Sequence, residues 1–347
     1  GTFDVVNYLD SWGPPNAHWL KRIDELMARD GISMDRYPAA LARSAQYQGE
    51  TLGFPLRAHP QLMFYRKDLI AEPPTSWEEI IEVGKALKES NPDIAPLALY
   101  YNNDGNRQNL FIWINFLWAA GADIFNEDGS AAWASEAGIQ ATKDYVELHT
   151  VHGVTNPNSV AFNEQDARQS FMQGNSAMMP VWWWAYSGFY NPDSSTLTKD
   201  QVGFTGMPSY KGTTKTYAIS MPFSISEYSA NQDAAWEFLK WLSNPEMDKA
   251  NAIVREVSGK SIVNNVVTHI SSLQDPDVNA ANDGIQNAAW ASLEQSDIMP
   301  QIAEWPEIGD ILSAAIAEAA SGGDVEALMT EAAERADKVL RRAGVLQ

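Results

Sequence analysis

Residues 171–186 read FMQGNSAMMPVWWWAY, and how Trp182, Trp183 and Trp184 are placed decides the reading of the chain. The helix before them ends near Gly174, and the apolar run after it has the length of a strand. A strand sends neighbours to opposite faces, and a helix spreads three neighbours over most of its circumference. The three indoles therefore cannot share one direction. As a strand, the stretch turns Trp183 into a core and Trp182 and Trp184 the other way, and the question is what those two face.

Alternation of this kind runs outward in both directions. FDVVNYL (3–9), APLALYY (95–101) and TYAISMPFSIS (216–226) read as strands. GETLGFPLRAHPQLMFYRKDL (49–69) reads as two short strands around a loop from Pro55 to Pro60. AHWLKRIDELMARDG (17–31) reads as an amphipathic helix closed by Gly31, and PPTSWEEI (73–80) as a helix start with Thr75 or Ser76 as the cap. NQDAAWEFLKWLSNPEMDKANAIV (231–254) reads as one long helix, and strand signals nearly vanish after residue 226. The pattern is α/β with no internal repeat. A helical tail without strands of its own must pack on earlier sheets, so the domains are expected to be discontinuous.

Composition narrows the function. A chain of 347 residues has the length of about two domains. The net charge of −21 disfavours a nucleic-acid partner or an anionic membrane face. With no cysteine, thiol catalysis, iron–sulfur clusters and thiolate zinc sites are excluded. His149 and His152 lie three apart on a predicted helix, but no carboxylate pair is spaced to complete a metal site, and they read as a solvated face. No nucleophile elbow, phosphate loop, dinucleotide fingerprint or HExxH motif is present, so neither an enzyme nor a cofactor is expected.

Binding fits better. Thirteen tryptophans exceed what core packing alone requires. A sugar presents hydroxyl edges and apolar C–H faces, so its site needs flat aromatic platforms beside Asp, Asn, Arg or Gln. Such mixtures occur where strands end, which is where open α/β sheets bind ligands. They are Tyr8, Asp10, Ser11 and Trp12; Arg57 and His59; Asn102, Asn103, Asp104 and Arg107, leading into Trp113; the tryptophan triplet; and Tyr217. Trp305 joins them at a helix start beside Pro306, whereas Trp77, Trp118, Trp236 and Trp241 read as structural.

The ordered motifs FDVVNYLDSW, GETLGFPLRAHPQLMFYRKDL, PPTSWEEI, AAGADIFNEDG, FMQGNSAMM followed by Trp, and AAWEFLKWLSNPE resemble the family 1 extracellular solute-binding proteins of ABC transporters, the maltodextrin-binding-protein-like group. The resemblance spans the chain. It implies a type II periplasmic-binding-protein fold: two α/β lobes, each a mixed sheet flanked by helices, closing on a ligand by a hinge. The lobes would be 1–103 with 226–274, and 104–225 with 275–347. The ligand contacts would be Tyr8, Asp10, Ser11, Trp12, Arg57, His59, Asn102, Asp104, Trp113, Trp182, Trp184, Tyr217 and Trp305, with Trp184 as the main aromatic platform.

Two departures carry further expectations. Tyr217 and Ala218 stand where the family often has a Gly-Gly pair, which favours a small ligand: a monosaccharide, polyol or small glycoside. The family also carries a first strand, helix and second strand before the DVV strand, so the sequence is expected to be part of a longer chain. The implied partners are a sugar or polyol and the permease subunits of an ABC importer, with the protein a monomer. The implied location is the periplasm, or a lipid anchor outside a single-membrane cell. Arg57 and Arg107 leave room for an acidic sugar. A carbohydrate-active enzyme using Asp10 and Asp104 is the alternative from another class.

Overall fold

The computed structural model describes residues 2–254, 256–257, 260–261 and 267–347. Contacts divide the chain into two compact units. The first holds Gly1–Gln61, Trp182–Trp184 and Tyr217–Trp305; the second holds Leu62–Val181, Ala185–Thr216 and Pro306–Gln347. This division falls elsewhere than at residues 103, 225 and 274. The chain passes between units inside continuous strands, Phe54–Arg66 and Thr216–Ile225, where no loop or change of composition marks the border.

In the first unit, the strand Thr216–Ile225 is central. On one side Val5–Asn7 pairs antiparallel with it, Val5 opposite Ile225 and Asn7 opposite Phe223. On the other side lies the first half of Phe54–Arg66, antiparallel, with Ala58 opposite Ser220 and Pro60 opposite Ala218. The expected loop between Pro55 and Pro60 is instead strand with a bulge, because the register shifts between Pro55 and Ala58. The bulge and the pairing of Pro55 with Pro222 let the segment stay extended where proline supplies no ladder donor.

The expected helix 17–31 is also shorter. Its α-helical part is Asp24–Asp30, ended by Gly31 at φ +66°, a left-handed conformation that glycine adopts without strain. Before it, Leu20 bridges Ser226 and the Lys21 N–H donates to the Ile225 carbonyl, so that backbone serves the sheet. The expected single helix 231–254 is two, Gln232–Leu242 and Pro245–Ile253, since Pro245 starts a new helix with Asn244 as its cap. Ile23, Met27, Tyr37, Phe54, Trp236 and Leu239 form the core under these elements.

In the second unit, the distal half of Phe54–Arg66 pairs antiparallel with Val202–Thr205, and Ala95–Leu97 pairs in parallel with Ser176–Trp182. The helix Trp77–Ser90 begins as expected: the Ser76 Oγ accepts from the Glu79 N–H at 3.1 Å, and the Glu79 carboxylate accepts from the Thr75 N–H at 2.7 Å. The helices Leu110–Ala119 and Glu136–Thr150 bury an aromatic core, in which Phe116 lies 4.7 Å from Trp77 and 5.3 Å from Tyr145 between ring centroids. The tail helix Val325–Ala343 belongs to this unit, and the Met329 carbonyl on it accepts from the Trp133 indole at 3.2 Å. The tail thus packs on earlier segments rather than forming a domain of its own. Among the described residues, no helix is long and apolar enough to cross a membrane.

Candidate ligand-binding site

Several candidates of the first unit gather around its central strand. After Asn7 the chain enters a single 3-10 turn, Asp10–Trp12, which brings the Asp10 carboxylate to the edge of Ser220. On the opposite edge, the bulged strand places His59 across from Ile219. Arg57 and His59 flank the buried Ala58, with Arg57 exposed and His59 partly buried.

The tryptophan triplet packs against the same strands. The strand from Ser176 ends at Trp182, and a 3-10 helix takes over from Trp183 to Tyr190. Strict alternation across the triplet therefore does not hold. Trp183 is buried as expected, but within the first unit: its indole N–H donates to the Ala58 carbonyl at 2.9 Å. Trp182 is buried and meets Tyr217 edge to face, with centroids 5.7 Å apart. Trp184 is only partly buried and meets the His59 ring at 6.4 Å and 75°. Of the three indoles, Trp184 keeps an accessible surface and Trp182 serves as its buried neighbour.

Burial sets the charges here. Asp10 is fully buried, and loss of hydration raises its pKa from 3.8 to about 7, against the opposing effect of the Ser11 and Ser220 N–H groups that donate to it at 2.7 and 3.5 Å. Burial likewise lowers the His59 pKa to about 4, helped by the Arg57 charge, so the imidazole is neutral at pH 7. Its Nδ1 is buried without a partner. Arg57 is exposed.

The other predicted contacts divide by environment. Tyr8 is buried in a small cluster with Ala17, Leu20 and Leu52, and its ring lies where a Cβ on Gly13 would sit, 2.7 Å away. Ser11 is buried and serves Asp10 through its backbone. Trp12 is 52% exposed and lines a hollow of about 400 Å³ with Phe3, Trp19 and Tyr228. Tyr217 and Trp305 are buried.

Asn102, Asp104 and Trp113 belong to the second unit. The Asp104 carboxylate accepts from the Asn106 N–H at 2.9 Å, a turn within its own loop. Trp113 is wholly buried, and its indole N–H donates to the Thr142 hydroxyl at 2.9 Å, so it is core rather than platform. Arg107 is held by Asp310 at 2.9 Å and by the Pro306 carbonyl, which occupies the charge expected to receive an acid group.

The Ser220 backbone was not among the candidates, and nothing local marks it, since its role follows from strand register. Among the described residues, no group of three or more His, Cys, Asp or Glu could hold a metal ion. The His149 Nδ1 lies 2.6 Å from the Thr155 hydroxyl, and the pair His149 and His152 gathers no further ligand.

Comparison with known proteins gives the family and the fold. The profile of the bacterial extracellular solute-binding protein family matches residues 1–249. The chain belongs to that family. A Sinorhizobium fredii protein named "Probable amino-acid ABC transporter periplasmic-binding protein y4oP" is 24% identical over 320 residues, 88% of this chain and 68% of its own. Among solved structures, maltose-bound MalE3 of T. maritima superposes with a TM-score of 0.82 at 21% identity, covering 97% of this chain and 84% of that one. A solute-binding protein of Agrobacterium radiobacter K84 in complex with ribitol gives 0.80 at 24% identity, covering 97% and 85%. The fold is the two-lobed one of these proteins, and the family is one of extracellular ABC-transporter binding proteins. The reading as a carbohydrate-active enzyme is thereby set aside.

Proposed function

We propose that the chain binds a small carbohydrate, a monosaccharide, polyol or small glycoside, and delivers it to the permease subunits of an ABC importer. The observation that carries this reading is the partly exposed Trp184 indole set against His59, with Arg57 and Asp10 along the same two strand edges. A flat apolar face beside polar groups matches a sugar's C–H face and hydroxyl edge. The ribitol and maltose complexes of similar fold support the ligand class. Buried Tyr217 fills space beside Trp182, which favours a small ligand over a long oligosaccharide. The protein acts as a monomer in the periplasm, or lipid-anchored outside a single-membrane cell.

A thermal-shift screen of the protein as expressed from its gene tests this, with neutral sugars, polyols, glycosides, sugar acids and the α-amino acids as arms. Ligand at 100 times its dissociation constant stabilises by about 2.7 kcal/mol. Stabilisation by a sugar, polyol or sugar acid is the expected result. No shift with any of them, or a shift with amino acids alone, overturns the reading.

A further inference from the structure

Among the described residues Arg22, Arg29, Arg43, Arg66, Arg107 and Arg342 each hold a carboxylate, whereas Arg36, Arg57, Arg335 and Arg341 hold none; of these four, Arg57 is the one beside the Trp184 site. Arg57 is exposed, and no hydrogen bond or ion pair involves it among the described residues. It lies two positions before His59, whose ring meets that of Trp184.

We propose that the ligand carries a carboxylate and that Arg57 receives it, so that the site takes a sugar acid, an aldonate or uronate, in preference to its neutral counterpart. This rests on the carbohydrate reading above and adds the charge of the ligand to it. A guanidinium presents two parallel N–H donors that match a carboxylate's two oxygens. Positions 57 and 59 are about 7 Å apart along the strand, a span within the length of a six-carbon acid. With its carboxylate on Arg57, such a ligand can lay its carbons over Trp184. The neutral His59 ring adds no second charge and offers hydrogen bonding to a hydroxyl. Asp10 turns its carboxylate into the amides of Ser11 and Ser220 and does not neutralise Arg57.

The test is isothermal calorimetry on matched pairs, D-gluconate against D-glucitol and D-glucuronate against D-glucose, for the wild type and Arg57→Gln. The acid of at least one pair is expected to bind about tenfold tighter than its neutral partner. Arg57→Gln is expected to abolish that preference. Its unliganded melting curve, expected to stay close to the wild type's because Arg57 has no hydrogen bond or ion pair to lose, shows that the variant folds. Neutral members binding as tightly as the acids, or a preference that survives Arg57→Gln, overturns the inference and leaves the carbohydrate reading in place. Failure of all four, together with a negative screen, removes the carbohydrate reading itself.

Discussion

The two units each hold a cluster of aromatic rings beside polar groups, and the clusters look alike in sequence. In the second unit, Trp113, Trp77, Phe116 and Tyr145 are all fully or nearly fully buried, and the Trp113 indole N–H is satisfied by Thr142. In the first, Trp184 keeps exposed surface, the His59 Nδ1 has no partner, Arg57 is unpaired, and Asp10 sits where burial disfavours its charge. The second unit's rings are packed core, although the Tyr145 hydroxyl there is also buried without a partner, whereas the first unit's cluster keeps an accessible indole beside an exposed cation. Accessible ring surface beside polar groups, not the number of rings, separates a binding surface from a packing cluster.

Truncation in the packed core should have the largest effect. Trp113→Ala removes a wholly buried indole and leaves a large cavity, and is expected to cost about 3–5 kcal/mol in denaturant unfolding. A loss below about 1 kcal/mol would show that the two clusters do not differ as described.

Asp10 gives the next largest effect, read as a pH profile. Its carboxyl binds a proton more tightly in the fold, at about pH 7, than at the ordinary 3.8. The protonated form is thus the one the fold favours. This contribution is complete below about pH 3.8, declines as pH rises toward about 7, and is level above that. The wild type should therefore lose a few kcal/mol relative to Asp10→Asn across that window, measured by urea midpoints at each pH. Parallel profiles for the two proteins would mean that the carboxyl is no less comfortable charged in the fold than in the open chain.

Trp184→Ala should act on the ligand rather than the fold. A loss of about 1–3 kcal/mol in affinity for whichever sugar or sugar acid binds is expected by calorimetry, with little change in melting temperature. Unfolding of the variant would move Trp184 to the structural side of the comparison. His59→Phe should have the smallest effect on stability, within about 0.5 kcal/mol, because its Nδ1 makes no hydrogen bond to lose. A large destabilisation in chemical denaturation would show that His59 is held as firmly as Trp113.

Local chemistry was legible where it acts over a few residues. The Ser76 cap, the turn at Gly174 and the strand that follows it are written in adjacent positions. Boundaries failed where a distant strand made the decision. Leu20 and Lys21 carry a helical pattern, yet the end of Thr216–Ile225 takes their backbone. Pro55 and Pro60 suggest a loop, yet pairing across a bulge keeps them extended. Trp113 adjoins a polar loop and reads as a platform, yet Thr142 lies 29 residues away and closes its one donor inside a core.

The sequence by itself determined the α/β class, the family motifs in their order, the dispersal of the three indoles and the absence of thiol chemistry. Those properties depend on period, composition and capping, which are local. Only the tertiary structure decided which indole keeps a surface, that Arg107 is paired while Arg57 is not, and that Asp10 is buried. Each of those rests on what lies across the sheet or on another element. Burial and hydrogen-bond satisfaction come from residues far apart in the chain, and no local pattern records them.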